Sequence, residues 1–598
     1  MTEEMDVPLS EFAGRVVGLC GFLSLSTAVL IAHLSPTRGY ELSLYTGTPM
    51  TAWIFLFSSF IMAVVLSFFG PSPVRKLGPM LAAFVTAVVA SLPVIRGYVL
   101  FGQFDLLNHA GTVLEVLKSG GFLSSTIYPA MHIEAATLSL IAGVSGYHAL
   151  SSLTGVFVGL FLLGGMLLVR GFGTSWWTRA TGVFMLCLLL PVISIRLPKL
   201  QAIPSVFALF YFVFLLGLLT YLFQSSSNSS TARRVTYLLI GPVIVFYHPQ
   251  FALIALGAGI ILVVSLQIFG RWFPYEPYLI RRAFGFSALV GIVFWEWVSK
   301  LPGFRGAFVR VLVGTSEGGS DIPDPSGRLE AVGGSTMEIV LKVFGLKILI
   351  TVVAVGVGLY LLGKCWKASQ QYSTPLYLIS ASVLMTLPMV GLFFTFLGRV
   401  SQGFRYIGLG FGLASIVAAI GIGNLLQQTD SNKTLRIAVA VLLVVAAAIV
   451  TPTLFKSPYV FQSNEQVTEA QLTGYNFVFE HHGSGQVTAI HSSPYRNRNA
   501  LYGKSYAENG IDRESNSDVV YQYGEPSVPA STSVPPHFSN QTFHQNATNV
   551  YLVTTTRGRE RYLNLYNGFR YNESDFVYLR ENSNTVYTNG DLEVQYFD

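Results

Sequence analysis

Three of the four carboxylates between residues 12 and 275 fall in one segment, GQFDLLNHAGTVLEVLKSGGFLSSTIYPAMHIEAA. They are Asp105, Glu115 and Glu134, and the segment also holds His109 and His132. Asp105 and His109 are four residues apart, so a helix places them on one face. Carboxylates and histidines together predict acid–base chemistry here. A structural alternative is that Asp105 caps a helix and that the other polar side chains face water.

Cations are the second feature of the apolar part of the chain. They occur at Arg196 and Lys199 in IRLPKLQ, at His248 in YHPQ, and at Arg399 and Arg405 in GRVSQGFRY. Arg and Lys can hold a phosphate and stabilise it as it leaves. If these segments share a membrane face with the carboxylates, the pattern predicts an enzyme that uses an anionic, membrane-anchored substrate.

A Gly- and Pro-rich segment between about residues 300 and 337 contains Asp321 and Asp324. Oxygen ligands suit Mg or Mn, which makes these two residues weak candidates for a divalent metal site. The alternative is ordinary turn chemistry, because Asp-Pro and Ser-Gly pairs favour turns.

Apolar residues make up 52% of the 598 residues and charged residues only 11%. Soluble proteins carry about 25% charged residues, so composition predicts a multi-span membrane protein. Lys and Arg flank alternate connections, which predicts a cytoplasmic N-terminus and an external C-terminus. The stretch 127–148 is set apart as re-entrant or interfacial. Thirteen runs are long or apolar enough to be candidate spans: 15–34, 51–69, 77–98, 150–169, 180–196, 203–223, 235–247, 251–269, 282–298, 338–363, 375–397, 405–424 and 435–451.

The chain changes character after residue 455. Residues 1–455 hold 27 Lys and Arg against 16 Asp and Glu, whereas residues 456–598 hold 10 against 15. The basic excess therefore belongs to the membrane part, and no nucleic-acid partner is expected. Alternating apolar residues and Asn-Gly turns predict a small extracytoplasmic α/β or β-rich domain over 456–598, after an all-α polytopic membrane domain over 1–455.

These motifs resemble the GT-C superfamily of polytopic glycosyltransferases, which use polyprenyl-phosphate-linked sugars. The resemblance rests on Asp105, the helix that follows it, Tyr128-Pro129 and the later corner His248-Pro249. It implies that Asp105 is the catalytic base. It also implies that the lipid phosphate is bound by cations at Arg196, Lys199, His248 and Arg405. His109, Glu115, His132 and Glu134 are then candidates for substrate binding.

The resemblance implies transfer of one sugar to an external glycan, lipid or protein. The WWDYG signature of oligosaccharyltransferases is absent, and Trp176-Trp177 is followed by Thr178, which favours a single sugar over a whole oligosaccharide. The Asn-Gly-rich C-terminal end is similar in style to archaeal membrane proteins. Two other functions stay open: a transporter or flippase for lipid-linked sugars, and a non-catalytic scaffold with an external binding domain.

Overall fold

The computed structural model describes most of the chain, with gaps between the ranges that follow. The described residues are 9–121, 127–172, 175–188, 200–224, 231–269, 277–301, 333–367, 400–429, 432–483, 485–504, 549–568 and 571–598.

Helices dominate the part of the chain before residue 455, as expected where backbone polar groups must be satisfied without water. In chain order they are α1 (Glu11–His33), α2 (Leu44–Gly47), α3 (Met50–Phe69), α4 (Leu77–Ile95), α5 (Asp105–Ser119), α6 (Pro129–Ala142), α7 (Gly146–Phe172), α8 (Trp176–Leu188), α9 (Pro204–Gln224), α10 (Thr231–Ile240), α11 (Val243–Tyr247), α12 (Pro249–Phe269), α13 (Pro277–Ser299), α14 (Thr336–Lys367), α15 (Val400–Gln428) and α16 (Lys433–Val450).

Eight of the described helices are long and apolar enough to cross a membrane: α1, α3, α4, α7, α9, α14, α15 and α16. This confirms a mostly helical multi-span protein. The predicted run 235–247 is broken, because Gly241-Pro242 separates α10 from α11. The predicted span 375–397 lies outside the described residues, so the total of thirteen spans and the cytoplasmic side stay predictions.

The spanning helices bury an aromatic and aliphatic core between them. Phe157 of α7 stacks on Phe207 of α9 with ring centroids 4.1 Å apart, and Phe68 of α3 packs on Phe184 of α8. Side chains pointing away from this core, such as Leu19 and Leu442, are exposed. Exposed apolar side chains around a buried core are what a lipid environment requires.

The C-terminal region contains a small mixed sheet, which confirms that β-structure follows the helical part of the chain. Its strands are β3 (Gln486–Ile490), β4 (Val550–Thr555), β5 (Asn584–Thr588) and β6 (Leu592–Phe597), in the order β3-β4-β6-β5. Only the β3–β4 pair is parallel among these described strands. The predicted Asn589-Gly590 turn joins β5 to β6. The helices of this region are α17 (Glu469–His481), α18 (Pro494–Tyr502), α19 (Thr556–Glu560) and α20 (Glu573–Glu581).

A two-stranded ladder ties the C-terminal region to the segment before Asp105. Strand β1 (Leu100–Phe101) pairs antiparallel with β2 (Gln466–Val467), and the Gly102 N–H donates to the Glu465 carbonyl at 2.9 Å. The Asn464 N–H donates to the Leu42 carbonyl at 3.1 Å. The connections after α1 and after α4 therefore meet the C-terminal region at one end of the helical bundle.

Helix α18 is docked directly on α5. The Asn499 side-chain amide donates to the Asn108 side-chain oxygen at 2.9 Å, and the Tyr147 hydroxyl donates to the Ala500 carbonyl at 2.8 Å. A Cβ added at Gly111 would lie 2.1 Å from the Asn499 carbonyl oxygen. The two helices thus approach as closely as backbone allows, and a residue without a side chain is required at position 111.

Gly111→Ala is therefore expected to weaken the packing of the C-terminal region on α5. The free energy of unfolding should fall by about 1–3 kcal/mol, as at other overpacked sites. The measurement is the thermal midpoint of the purified protein, together with protease sensitivity at α18. Gly121→Ala is the matched control, because no described atom lies within 4 Å of its added Cβ. An unchanged midpoint for Gly111→Ala would contradict this close approach.

Candidate functional site

Asp105 is the first residue of α5, and the residue before it has an unusual backbone. Phe104 has φ 56° and ψ −108° and makes no side-chain capping bond. A bulky residue with positive φ is strained and needs surrounding structure to hold it. The Asp105 carboxylate lies 3.1 Å from the Arg496 guanidinium of α18 and is 64% exposed. Asp105 is therefore open to solvent and faces a cation of the C-terminal region.

Two X-Pro corners from distant parts of the sequence meet next to His109 of α5. Tyr128-Pro129 opens α6, and His248-Pro249 separates α11 from α12. The Tyr128 and His248 rings stack with centroids 4.9 Å apart and an angle of 14° between their planes. The structure thus brings together two of the motifs on which the GT-C resemblance rests.

A histidine pair joins α5 to α6 next to the first of these corners. His109 Nδ1 lies 3.1 Å from His132 Nε2, and the His109 ring also packs edge-on against Tyr128. His109 is one turn beyond Asp105, as the four-residue spacing predicts. One ring nitrogen must donate and the other accept, so the pair holds at least one neutral imidazole.

Burial keeps both histidines neutral at physiological pH. Burial, followed by the nearby charge of Lys504, lowers the pKa of His109 to about 4. Burial, followed by the effect of His109, lowers the pKa of His132 to about 3. The charged form is disfavoured because the pair has little water around it and faces the cations Lys504 and Arg496. At neutral pH the pair is uncharged and can accept a hydrogen bond.

This pair predicts acid sensitivity. Unfolded histidines take up protons below about pH 6.5, whereas the folded pair resists protonation down to about 4, so stability falls as the pH is lowered through this window. The measurement is the thermal midpoint against pH. A His109→Gln, His132→Gln double variant should show a shallower fall between pH 6.5 and 4. An identical slope in both proteins would contradict the assignment.

Glu115 and Glu134 are on the same two helices as the histidine pair, α5 and α6. Glu115, on the third turn of α5, packs against Gly503, since a Cβ added there would lie 2.8 Å from its Cγ. Glu134 of α6 accepts a hydrogen bond from Tyr247 at the end of α11. Burial raises the pKa of Glu134 to about 7. Glu134 therefore faces the helix bundle, whereas Glu115 faces the C-terminal region.

The segment 127–148 does not cross the bundle from end to end. Tyr128 at its start contacts His109, and Tyr147 near its end contacts Ala500 of α18. Both ends therefore lie on the side of α5 and α18. Leu140 and Ile141 on α6 are 75% and 80% exposed, which suits a helix at the membrane interface.

Apolar residues between Leu106 and Leu117 have helical spacing, a pattern that suits a helix lying in the membrane interface. The helix is present as α5, but its apolar face does not point to lipid. Leu106, Leu107 and Val113 are fully buried, and α5 packs against α6, α7 and α18. The same amphipathic pattern serves a helix covered by lipid or by protein, so the sequence alone could not separate the two cases.

Several predicted site residues cannot be placed. Arg196, Lys199 and Arg399 lie outside the described residues, as do Asp321 and Asp324. Arg405 is on α15, and only its backbone is described. Within the described part of the chain, no group of three His, Cys, Asp or Glu side chains is arranged to hold a metal ion.

Two cations at the site come from the C-terminal region and were missed by the sequence analysis. Arg496 contacts Asp105, and the charge of Lys504 acts on both histidines. The available signal was the occurrence of basic residues around Tyr495 in a domain with an acidic balance. That signal does not indicate which partner these residues meet.

No family model and no curated protein matches the chain. Among solved structures, the archaeal oligosaccharyltransferase AglB from Archaeoglobus fulgidus, in complex with an inhibitory peptide and a dolichol-phosphate, aligns at TM-score 0.49 and 11% identity, over 86% of this chain and 73% of that one. ArnT from Cupriavidus metallidurans bound to undecaprenyl phosphate aligns at 0.42 and 11%, over 92% and 98%. The arabinofuranosyltransferase AftD from mycobacteria aligns at 0.43 and 14%, over 80% and 35%.

The names of these proteins include an oligosaccharyltransferase and an arabinofuranosyltransferase.

Proposed function

We propose that this protein is a membrane glycosyltransferase that moves one sugar from a polyprenyl-phosphate-linked donor to an extracytoplasmic acceptor. The observation that carries the proposal is the position of Asp105. This exposed carboxylate contacts a cation of the C-terminal region and is one helical turn before the paired His109, where the C-terminal region covers one end of an apolar helix bundle. A donor with its lipid in the bilayer and its head group at that end would meet these side chains.

The proposed reaction is an inverting displacement at the anomeric carbon. The acceptor hydroxyl attacks, Asp105 takes its proton, and a new carbon–oxygen bond forms to the acceptor. The bond between the anomeric carbon and the phosphate oxygen breaks, and polyprenyl phosphate leaves with that electron pair. Water must be kept from the anomeric carbon, and the covering C-terminal region serves that purpose.

Cations are needed to stabilise the leaving phosphate. Among the four side chains predicted to bind the phosphate, His248 is the one whose contacts the structure describes. Its ring stacks on Tyr128, which holds it at the site. Arg196, Lys199 and Arg405 remain proposed phosphate ligands. A divalent metal, Mg or Mn, is a second proposed source of positive charge, with Asp321 and Asp324 as its weak candidate ligands.

The remaining parts of the proposal concern substrates and location. The acceptor is an external glycan, lipid or protein, and the protein is a multi-pass protein of the cell membrane with residues 456–598 outside. His109 lies one helical turn beyond Asp105 on α5, which supports a role in binding the sugar or the acceptor, and Glu115, further along the same helix, is proposed for the same purpose. His132 and Glu134, on α6, are proposed for the same purpose.

The test uses the purified full-length chain in lipid nanodiscs with synthetic polyprenyl phosphates carrying single radiolabelled sugars. Peptide, glycan and lipid acceptors are supplied in separate reactions, each with EDTA, Mg²⁺ or Mn²⁺. The expected result is labelled acceptor together with an equal amount of free polyprenyl phosphate. Neither product from any donor, with monodisperse protein, would overturn the proposal.

A flippase for lipid-linked sugars is the second candidate. Helical structure is interrupted at Gly241-Pro242 and again at His248. Tyr247, between these two breaks, donates a hydrogen bond to the buried carboxyl of Glu134. Broken helices with an ionisable group are typical of transporters. Movement of a fluorescent lipid-linked sugar across proteoliposomes, without release of polyprenyl phosphate, would favour this function.

A further inference from the structure

The contact between Asp105 and Arg496 joins the proposed base to the C-terminal region, which follows the membrane part in the sequence. Arg496 is on the first turn of α18, and the hydrogen bonds of Asn499 and Ala500 fix this helix on α5 and α7. The guanidinium is therefore held in place by its own helix before it meets the carboxylate. Its position does not depend on the ion pair.

The backbone just before Asp105 is held by two cations of the same region. The Arg496 guanidinium lies 5.6 Å from the centre of the Phe104 ring, and the Arg557 guanidinium lies 5.6 Å from it as well. Arg557 is buried and donates to the carbonyls of Asn464 and His491 at 3.1 and 3.2 Å. The Phe104 ring thus lies near two cations, each held by other contacts, and this arrangement can hold the positive φ of Phe104 against the strain.

Stability alone does not account for the ion pair. The Arg496 and Asp105 side chains are 32% and 64% exposed, and a pair this open contributes only about 0–1 kcal/mol to folding. The contact instead determines where the carboxylate oxygens point. A base must lie within hydrogen-bond reach of the proton that it removes, so this orientation affects the rate far more than the fold.

We propose that Arg496 is a positioning residue for the reaction, through which the C-terminal region orients the Asp105 carboxylate toward the acceptor hydroxyl. This inference rests on the proposed function. It gives the C-terminal region a part in catalysis, because the helix that covers the site also aims its base. During proton transfer Arg496 stays charged and keeps its contact with one carboxylate oxygen, leaving the other oxygen for the acceptor.

The chain offers a matched control on the same helix. Arg498 is two residues further along α18, and its guanidinium lies 5.8 Å from the centre of the Phe479 ring. Arg498→Gln therefore removes the same charge from the same helix without removing the contact to Asp105.

The first experiment measures kcat and the KM for donor in Arg496→Gln, Arg496→Lys and Arg498→Gln. We expect Arg496→Gln to lower kcat on the order of 100-fold, as misplacement of a reacting group by about 1 Å does, with the KM for donor unchanged. Arg496→Lys should recover part of the loss, and Arg498→Gln should match the wild type. A KM effect alone, an equal loss in Arg498→Gln, or a faster Arg496→Gln enzyme would each overturn the inference.

The second experiment needs no transferase activity. The wild-type protein and both Gln variants are treated with a water-soluble carbodiimide and glycine ethyl ester, and modification of Asp105 is measured by peptide mass spectrometry. We expect several-fold more modification of Asp105 in Arg496→Gln, and no change in Arg498→Gln. Equal modification in all three proteins would overturn the contact, whereas a wild type inactive with every donor would overturn the proposed function.

Discussion

Replacement of Asp105 by Asn is expected to lower the rate of sugar transfer by roughly 10²- to 10⁴-fold, the range typical of a general base. The amide has nearly the same shape as the carboxylate but cannot accept the acceptor's proton at neutral pH. Because Asp105 is exposed and its pair with Arg496 is open to water, the fold should change little. The expected variant is therefore a folded, membrane-inserted and almost inactive protein.

The measurement is the initial rate of label transfer at saturating donor, with the thermal midpoint determined on the same preparation. Glu480→Gln is the control, because this exposed carboxylate on α17 bonds only to Asn476 among the described residues. It should transfer sugar at the wild-type rate. An Asp105→Asn protein that keeps more than about a tenth of the wild-type rate would remove Asp105 from the mechanism, since the loss would fall below the range of a base.

The acidic segment could be found from sequence because its signals are local. Asp105 and His109 are four residues apart, and the amphipathic pattern after Asp105 predicts a helix that contains both. The structure has this helix at Asp105–Ser119. Long apolar runs likewise predict spanning helices, since no other regular structure of that length satisfies its backbone in lipid. Such signals depend on neighbours within a few turns, and a single sequence displays them directly.

The partners of that segment could not be found in the same way. Asn108 and Asn499 are 391 residues apart, and Arg496 meets Asp105 across a similar separation. No local period records such a contact. The His248–Tyr128 stack is an intermediate case, because each X-Pro corner is visible in the sequence but their meeting depends on how α6 and α12 pack. The composition of the C-terminal region indicated its fold class and left its part in the site open.

The attachment of the C-terminal region rests on a second charged cluster, which is buried. Glu465, next to β2, accepts hydrogen bonds from Lys456 and from Gln201, which precedes α9. Burial alone would raise the pKa of Glu465, but the charges of Lys456 and Arg557 outweigh it and lower the pKa to about 2. The carboxylate therefore stays ionised and balances two buried cations at the junction with the membrane part.

Glu465→Gln is expected to destabilise the protein by about 3–5 kcal/mol, because Lys456 and Arg557 would keep their charges in a buried place without a counter-charge. Without Glu465, Arg557 should also shift away from the Phe104 ring. Phe104 directly precedes Asp105, so transfer activity should fall along with stability. The measurement is the thermal midpoint in detergent at pH 7. Glu573→Gln is the matched control: it removes an exposed carboxylate that pairs with Arg559 and Arg580, and such pairs contribute about 0–1 kcal/mol.

The pH dependence of stability separates this ionic effect from a mere change in packing. In the wild type the contribution of Glu465 is fully present above its ordinary pKa of 4.5 and is lost as the pH falls toward about 2, since the unfolded chain then binds the proton more readily. Glu465→Gln has no such proton to bind, so the difference between the two midpoints should shrink steadily as the pH falls from about 4.5 toward about 2. A difference that stays constant over this range would mean that the variant fails through packing and that the buried charges do not hold the C-terminal region on the bundle.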